Sequence, residues 1–409
     1  MYSPPWRFRE LFESTTTKLR LPVQESSGYH QPTTLIMPYE IKFDNLPGGY
    51  SANNARAGEI VSIVSREFTS SEDGNLFIAR LEGLPRDIIS KLPGLGFHIE
   101  PSVNHLFAIV RKDRTATVYL NDLPHTLLSR TKRPLKAGDL VTYDHILDVI
   151  KIQLTGITIP RDAGVLAIFS AGWRKGLFFD FSPLHSPFTE RTEDLESILG
   201  QCYAHLSFQH LFAMSDTAWE AFFKQGWFPF IHLRHDTLKT MITFAEAGIP
   251  LDEHVESISA AIKNDFGAVS TSWGKRMVFS QNVEFIAIAF ERYENEDYIS
   301  AASILFPRIE GILRTHHATF PRAGNASQSN LAKSTQQGAQ LPGHEKSLLL
   351  PRRFNKYIQD VYFASFDPKA PSGLNRNTVG HGVAPKSAFD KKAASLGFLI
   401  LMQLGALLP

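Results

Sequence analysis

The sequence predicts an α+β fold with a β-rich N-terminal domain, followed by an all-α C-terminal helical bundle. Up to about residue 183, short apolar runs alternate with polar residues, which is the period of a strand with one buried face. From Asp194 the apolar residues recur with the helical period of 3.6 instead. The composition is that of a globular protein, with 43% hydrophobic and 20% charged residues. At 409 residues the chain is long enough to bury the cores of two domains or three.

The first half divides into an arm and a β-rich domain. Residues 1–34 are polar and proline-rich and are predicted to form an N-terminal arm, whereas residues 35–185 are predicted to form a β-rich domain whose role the sequence does not indicate. The predicted strands are 59–68, 75–82, 106–110, 116–121, 149–159 and 165–170. Asp113-Arg114 and the stretch 136–139 have the composition of hairpin turns. Arg174 and Lys175 lie beside aromatic residues and could stack on a nucleotide, but a strand packed on the helical half is the favoured interpretation.

The second half is predicted to be helical throughout. Residues 194–275 form a connecting region with helices at 195–214, 216–225, 236–247 and 252–266. Ser215, Asp236 and Asp252 occupy N-cap positions, and Gly226 and Gly248 stand where helices end. Residues 276–409 form the helical domain proper, with helices at 275–294, 297–317, 346–366 and 385–407. Within it, residues 321–345 are rich in Asn, Ser, Gln and Gly, which predicts a flexible loop.

A short stretch near the end of the sequence, Leu374–Gly382, has the composition of a phosphate site. Its Arg376 is followed by Asn377 and, five residues on, by His381 between two glycines. A guanidinium binds two phosphate oxygens in a planar fork, and an imidazole transfers protons near neutral pH. Gly380 and Gly382 would let the backbone bend beside the histidine. The alternative is that Arg376 pairs with a carboxylate and that His381 is an ordinary loop histidine.

The net charge of +1 conceals an asymmetry along the chain. From Phe306 to the end there are 13 Lys and Arg against 5 Asp and Glu, whereas residues 180–305 hold 8 against 18. The positive surplus therefore falls in the segment that contains Arg376 and His381, as a surface that contacts RNA would require. An acidic and a basic half that complement each other explain the asymmetry equally well, and both interpretations stay open.

The Arg-Asn-x3-His pattern, followed by Gly and a terminal helix, resembles the signature of the HEPN superfamily. Residues 285–298 and 304–314 are similar to the paired helices that precede this motif in bacterial members, so the resemblance covers about residues 276–409. It implies a metal-independent endoribonuclease that cuts single-stranded RNA in a composite cleft between two protomers. Arg376 and His381 would be catalytic, and Asn377 would hold either the loop or the phosphate.

The resemblance also implies partners and a role. Such proteins often act in toxin–antitoxin or anti-phage defence systems, so we expect RNA as the substrate, a homodimer, and an antitoxin or defence-system partner. We place the dimer interface on the helices near 276–317 and 385–407. The alternative is a non-catalytic HEPN module that binds RNA or a nucleotide, or that serves as a dimerising scaffold.

Four further observations complete the functional prediction. Glu310 lies in the apolar run Ile304–Leu313; if buried it needs a partner and could orient Arg376 or His381, although exposure on the far side of the helix is equally compatible with the sequence. His232 and His235 could supply two metal ligands, but no second cluster has metal spacing, so neither a metal nor a cofactor is predicted. His316 and His317 would suit the C-terminal end of a helix dipole. The single cysteine, Cys202, and the absence of a secretory signal or a continuous membrane span predict a cytoplasmic protein without a membrane contact.

Overall fold

The computed structural model describes residues 38–51, 53–92, 103–185, 190–321, 324–338, 347–371 and 373–409. It confirms the α+β prediction, because an antiparallel sheet fills the first half of the described chain and helices fill the second. The predicted arm at 1–34 and residues 339–345 of the predicted loop lie outside the described residues.

The central element is a six-stranded antiparallel sheet. Side by side it contains β1 (Tyr39–Lys42), β6 (Thr115–Leu120), β5 (Leu106–Val110), β9 (Gly164–Ala171), β10 (Arg174–Asp180) and β4 (Arg66–Ser70). Two short ribbons accompany it, β2 (Tyr50–Ser51) with β3 (Ile63–Val64) and β7 (His125–Thr131) with β8 (Ile146–Leu154).

The predicted turns are found in two different settings. Asp113-Arg114 closes the β5–β6 hairpin, where Arg114 takes φ 73° and the amide of Arg111 donates to the carbonyl of Thr115 at 2.8 Å. In the stretch 136–139, the amide of Asp139 donates to the carbonyl of Lys136. That turn lies in the long connection between β7 and β8 rather than closing a tight hairpin.

Three predicted strands of the first half are wrong or altered, and one of them, the predicted strand 149–159, is found as β8 and ends at Leu154. Residues predicted as the strand 75–82 form helix α1 (Asn75–Leu81), which α2 (Leu84–Ser90) follows. The apolar residues misled the prediction because Leu76 and Ile78 are exposed, whereas Phe77 and Leu81, one helical turn apart, form the buried face. The predicted strand 59–68 is reduced to β3 and β4.

The helices of the second half follow the predicted order with altered ends. They are α3 (Leu195–Ser207), α4 (Gln209–Phe212), α5 (Asp216–Lys224), α6 (His235–Glu246), α7 (Val255–Ser270), α8 (Met277–Ser280), α9 (Val283–Glu294), α10 (Tyr298–His317), α11 (Gln328–Gly338), α12 (Pro351–Tyr357), α13 (Arg376–Gly380) and α14 (Lys391–Leu407). The predicted helices 195–214 and 275–294 are each broken into two. The predicted helix 346–366 is shorter, with α12 running into a π-helical turn at Ile358–Tyr362.

The predicted caps are partly right. Ser215 caps α5 by accepting from the amide of Ala218 at 3.1 Å, and Gly226 and Gly248 end helices with φ 76° and 70°. Asp236 is not a cap, since α6 begins one residue earlier, and Asp252 lies inside a 3₁₀ turn.

The prediction of a flexible loop at 321–345 is wrong over α11. This polar helix buries Leu331 and Ala332 completely, together with Ser334 and Thr335. Both hydroxyls donate to carbonyls one turn back in the same helix, at 2.6 and 2.7 Å, so they enter the interior already hydrogen-bonded. The low apolar content of this segment therefore did not indicate a loop. Small side chains that hydrogen-bond to their own helix can be buried, so the helix packs closely.

One hydrophobic core runs from the sheet through the helices. Alternate sheet residues such as Val165 and Ala167 face the helical half, while their neighbours Leu166 and Ile168 face a second cluster under α1 and α2. Helix α14 lies inside the helical half, with nearly all of its residues buried. The predicted dimer interface at 385–407 is therefore wrong over α14, because that helix has little surface to offer a second copy.

Candidate active site around Arg376

The Arg-Asn-x3-His motif begins a short helix with a strong N-terminal cap. The side chain of Asn375 accepts from the amides of Asn377 and Thr378 at 2.9 Å, and the hydroxyl of Thr378 accepts from the amide of Asn375 at 3.0 Å. This reciprocal arrangement satisfies donors that a helix start leaves unpaired, and it is buried. The sequence Asn-x-x-Thr therefore fixes where α13 starts, and with it the position of Arg376.

A buried carboxylate holds the arginine. The side chain of Glu310, on α10, is only 5% exposed and forms an ion pair through Oε2 with Nε of Arg376. Its Oε1 accepts from Nε and Nη2 of Arg314 at 2.8 and 2.6 Å. The structure thus brings Glu310 to Arg376 rather than to His381. Two guanidiniums offset the desolvation of one carboxylate and leave the trio with a net positive charge.

The rest of the Arg376 guanidinium lies against a glycine and remains accessible. A Cβ at position 380 would lie 2.9 Å from Nη1, so the missing side chain of Gly380 makes room for the arginine. The Arg376 side chain is 27% exposed, and its Nη1 donates to Asn377 at 3.4 Å. Nη2 has no hydrogen-bond partner among the described residues, so this nitrogen still has its donors available for a further acceptor.

Asn377 fixes the loop. Its Nδ2 donates to the carbonyls of Phe363 and Ala364, both at 3.1 Å, and its Oδ1 accepts from Gln328 at 2.6 Å. These bonds tie α13 to the end of the π-helical turn and to α11. Of the two roles predicted for Asn377, the structure shows the hydrogen bonds of the loop-holding one. Gln328 was missed because its segment was predicted to be a loop.

His381 lies on the surface at the C-terminal end of α13. Its amide donates to the carbonyl of Asn377 at 3.0 Å, and its ring centroid lies 5.6 Å from that of Phe366. Gly382 then takes φ 68°, the left-handed conformation expected of it. Five residues along a helix correspond to about 140° of rotation, so Arg376 faces α10 while His381 faces solvent. A single chain therefore does not bring the two functional groups face to face.

Two buried residues outside the motif, Tyr362 and His316, also shape its surroundings. Tyr362 is fully buried and donates to the carbonyl of Phe306, and burial raises its pKa, with the nearby Glu310 charge adding to the effect. Burial lowers the pKa of His316, whose Nε2 contacts the carbonyl of Ser334 at 3.1 Å. His316 therefore packs as a neutral ring against α11, which corrects the prediction of a cation at the helix end.

The charge asymmetry is partly neutralised inside the molecule. Lys391 pairs with Glu256, Lys392 with Asp252 and Arg353 with Asp216, and each of these pairs joins the basic segment to the acidic one. Lys369 and Lys386, near His381 in the sequence, are exposed and have no ion pair among the described residues. The ion pairs support the interpretation in which the two halves complement each other, and the interpretation in which the basic segment contacts RNA stays a prediction.

The exposed apolar face of α9 lies on the opposite side of α10 from the motif. Phe285 and Ile288 are 42% and 44% exposed, and the guanidinium of Arg308 covers the ring of Phe285 at 3.9 Å. Positions 308 and 310 on one helix are about 200° apart, so Arg308 faces α9 whereas Glu310 faces α13. A dimer built on that face, part of the predicted interface at 276–317, would hold the two motifs apart.

The structure also shows the surroundings of the other candidate functional residues, His232, His235 and Arg174. His235 stacks on Tyr143 with ring centroids 4.8 Å apart, whereas His232, the other candidate ligand, lines a pocket. Arg174 lies over Trp173 and donates to Glu72, so its strand packs rather than presenting a free guanidinium. The residues described here contain no group of three or more His, Cys, Asp or Glu placed to hold a metal ion.

Comparison with protein-family models, curated proteins and solved structures finds no match to this chain. Within the described ranges, no helix combines the length and the apolar character needed to cross a membrane.

Proposed function

We propose that the protein is a metal-independent endoribonuclease that cuts single-stranded RNA with Arg376 and His381. The observation that carries the proposal is the arrangement on α13. The buried Glu310 pairs with Nε of Arg376 and leaves Nη2 without a partner among the described residues, while His381 is presented on the surface five residues further along the chain. Lys369 and Lys386, exposed and near His381 in the sequence, would add positive charge for the RNA backbone.

In this reaction the ribose 2′-oxygen attacks the adjacent phosphorus and the 5′-oxygen of the next nucleotide leaves. His381 takes the proton from the 2′-hydroxyl, and the leaving 5′-oxygen receives a proton from a water molecule. Nη2 of Arg376 stabilises the charge that builds on the phosphorane oxygens. The products are a 2′,3′-cyclic phosphate and a 5′-hydroxyl, and the nucleophile comes from the RNA itself.

Because the two groups diverge within one chain, the proposal includes a homodimer across the surface of α13. His381 of one copy would then face Arg376 of the second, with Phe366 and Lys386 at the interface. The biological role that we propose follows the HEPN resemblance, namely a toxin or anti-phage defence protein with an antitoxin or similar partner.

The test is cleavage of a labelled single-stranded RNA by purified protein in the presence of EDTA. We expect cleavage of the RNA, none of the matching DNA, and loss of cutting at a position where a single 2′-hydroxyl is replaced by hydrogen. His381→Ala should lower the rate by about a hundredfold or more. Arg376→Lys should fail as well, since a point charge does not replace the planar fork.

The matched control is His125→Ala, which removes another exposed histidine away from the motif and should cut at the parent rate. Circular dichroism on every variant separates lost chemistry from lost fold. Cleavage by His381→Ala at the parent rate, or a strict need for magnesium, would exclude this mechanism. A strictly monomeric protein in sedimentation at tens of micromolar would exclude the composite site.

A second candidate is a module that binds RNA or a nucleotide without cutting it. Two observations favour it. The side-chain carboxamide of Asn377 already has hydrogen-bond partners within the chain for its oxygen and its nitrogen, and Glu310 partly neutralises the charge of Arg376. Fluorescence anisotropy distinguishes the two functions. RNA binding that needs Arg376 but leaves the RNA intact over hours selects the binding module.

A further inference from the structure

A second group of charged side chains lines a pocket that the motif does not touch. The pocket has a volume of about 230 Å³ and lies between the β7–β8 connection, the segment before α6, and α7. Its charged wall residues are Lys132, Arg133, Asp144, Arg234 and Asp265, and His145 and His232 lie beside them. These residues come from three separate parts of the chain, so the tertiary fold alone brings them together.

Lys132 is the unusual member of this group. Its side chain is partly buried and forms no ion pair with any residue that the structure describes. Desolvation lowers its pKa to about 8. The charged and titratable groups that face it are Asp144, Asp265, Arg234 and His232, with Arg133 and His145 also on the pocket wall. A desolvated amine without a partner costs stability in the empty protein and is a feature of binding sites.

The pocket has a positive balance. Lys132, Arg133 and Arg234 face only two carboxylates, and Asp144 already accepts from the backbone amide of His235 at 2.7 Å. The histidines add no charge at neutral pH. Nδ1 of His145 accepts from the amide of Thr142 at 3.0 Å, and burial lowers the pKa of His232 to about 3. The cations therefore exceed the available anions, so the complementary ligand is an anion.

A second, mostly apolar cavity, here called the apolar neck, shares part of its wall with the pocket. Its volume is about 100 Å³, and it shares His232, Leu233, Arg234 and Asp265 with the pocket. Its remaining wall is mostly apolar and consists of Thr237, Ser257, Ile258, Ala261, Ile262, Leu399 and Met402. Together the two cavities reach the lower end of the range for small-molecule sites, roughly 300 Å³. The shape suits a small ligand with an anionic head and a less polar body.

We propose that this pocket binds a small phosphorylated molecule, with the phosphoryl oxygens against Lys132, Arg133 and Arg234 and the body in the apolar neck. Lys132, Arg133 and Arg234 line the same pocket, and Nη2 of Arg133 also contacts Nε2 of His145 on its wall. Three cationic side chains match a tetrahedral group with three acceptor oxygens better than a planar carboxylate with two. Asp265, which has no ion pair among the described residues, is placed to accept from a hydroxyl or amino group of the body. The proposal is independent of the function proposed for Arg376 and His381.

The test is calorimetric titration of the full-length protein with phenyl phosphate and with the four nucleoside 5′-monophosphates. At least one probe should bind saturably, and the corresponding phenol or nucleoside should bind at least about tenfold more weakly because it lacks the charged head. Lys132→Met and Arg234→Ala should each weaken binding by about tenfold or more. Lys136→Met removes an exposed lysine in the same connection but off the pocket wall, and it should leave binding unchanged.

The pH dependence gives an independent readout. Lys132 is protonated below a pKa of about 8, so affinity should fall between pH 7 and pH 9. The second ionisation of a phosphate monoester, near 6, is nearly complete over that interval and does not contribute. Lys132→Met should abolish this dependence.

Three outcomes would overturn the proposal. They are the absence of saturable binding of every probe up to about 10 mM, well beyond the weakest specific affinities, equal binding of phosphorylated and unphosphorylated probes, and equal loss of affinity in Lys132→Met and Lys136→Met.

Discussion

The two charged regions of this protein differ in whether their charged side chains have partners within the protein. Around α13, Arg376 and Arg314 share the buried Glu310, and the amide of Asn377 is fully hydrogen-bonded within the chain. In the pocket beside β8, Lys132 and Arg234 have no ion pair among the described residues. The first region therefore uses its charges to hold the fold as well as for any chemistry, whereas the second keeps one desolvated charge, on Lys132, that costs stability until a ligand binds.

The largest change in stability expected from this difference is for substitution of Glu310. Glu310→Ala removes the carboxylate that two guanidiniums share and should lower the free energy of unfolding by about 2–3 kcal/mol, somewhat less than a fully buried pair because the arginines can reach water. Arg376 and Arg314 are 27% and 51% exposed, which allows that partial relief. Urea unfolding measures the change. Glu291→Ala, an exposed glutamate on α9, is the control and should shift the free energy by less than about 0.5 kcal/mol.

A loss at Glu310→Ala no larger than at Glu291→Ala would mean that the motif region does not depend on its buried pair. The contrast between the two regions would then not hold for the region around α13.

At Lys132 we expect a substitution to raise the free energy of unfolding rather than lower it. Lys132→Met removes a desolvated, unpaired amine and should raise the free energy of unfolding at pH 7 by about 1–2 kcal/mol, after allowance for its partial exposure. The folded-state pKa of about 8 lies below the ordinary value near 10.4, so the unfolded chain binds the proton more tightly. The cost is therefore fully present below pH 8 and disappears as the pH rises toward about 10.

The measurement is the difference in unfolding free energy between the parent and Lys132→Met from pH 7 to pH 10. The subtraction cancels other groups that titrate in that interval, and the difference should shrink as the pH rises. A difference that stays constant or grows would show that Lys132 is paired or solvated in the folded protein.

The same contrast explains what the sequence could predict. The motif lies within a few consecutive residues, so its spacing and its glycines were readable, and Glu310 could be recognised as an acid in an apolar run. The partner choice of Glu310 was not readable, because it depends on how α10 packs against α13. The pocket was invisible to sequence reasoning, since Lys132, His232 and Asp265 come from segments that only the fold brings together.

The fold errors have a common physical origin. The order of strands and helices followed from the change in hydrophobic period, but the period failed where burial was not set by apolar content. Helix α1 exposes Leu76 and Ile78, and α11 buries Ser334 and Thr335. In both cases the environment of a side chain is decided by its neighbours in space rather than by its own polarity.

The smallest stability effect, and the sharpest test of the motif, comes from its two glycines. A Cβ on Gly380 would meet only the flexible end of Arg376, at 2.9 Å, whereas a Cβ on Gly382 would have nothing within 4 Å but would sit at φ 68°. Gly382→Ala should therefore cost about 1 kcal/mol of stability through backbone strain, and Gly380→Ala should cost less, since alanine is also the better helix former.

If Arg376 acts on phosphate, RNA cleavage should follow the opposite order, with Gly380→Ala losing more activity than Gly382→Ala. Gly380→Ala displaces the guanidinium from its seat against α13, and misplacement of a charge-stabilising group by about 1 Å can lower a rate by about a hundredfold. Gly382→Ala leaves that guanidinium where it is and should cut RNA faster than Gly380→Ala. Urea unfolding and RNA cleavage measured on both variants give the two orders. If cleavage instead falls in proportion to stability, the position of Arg376 has no part in the chemistry, and its pairing with Glu310 is structural alone.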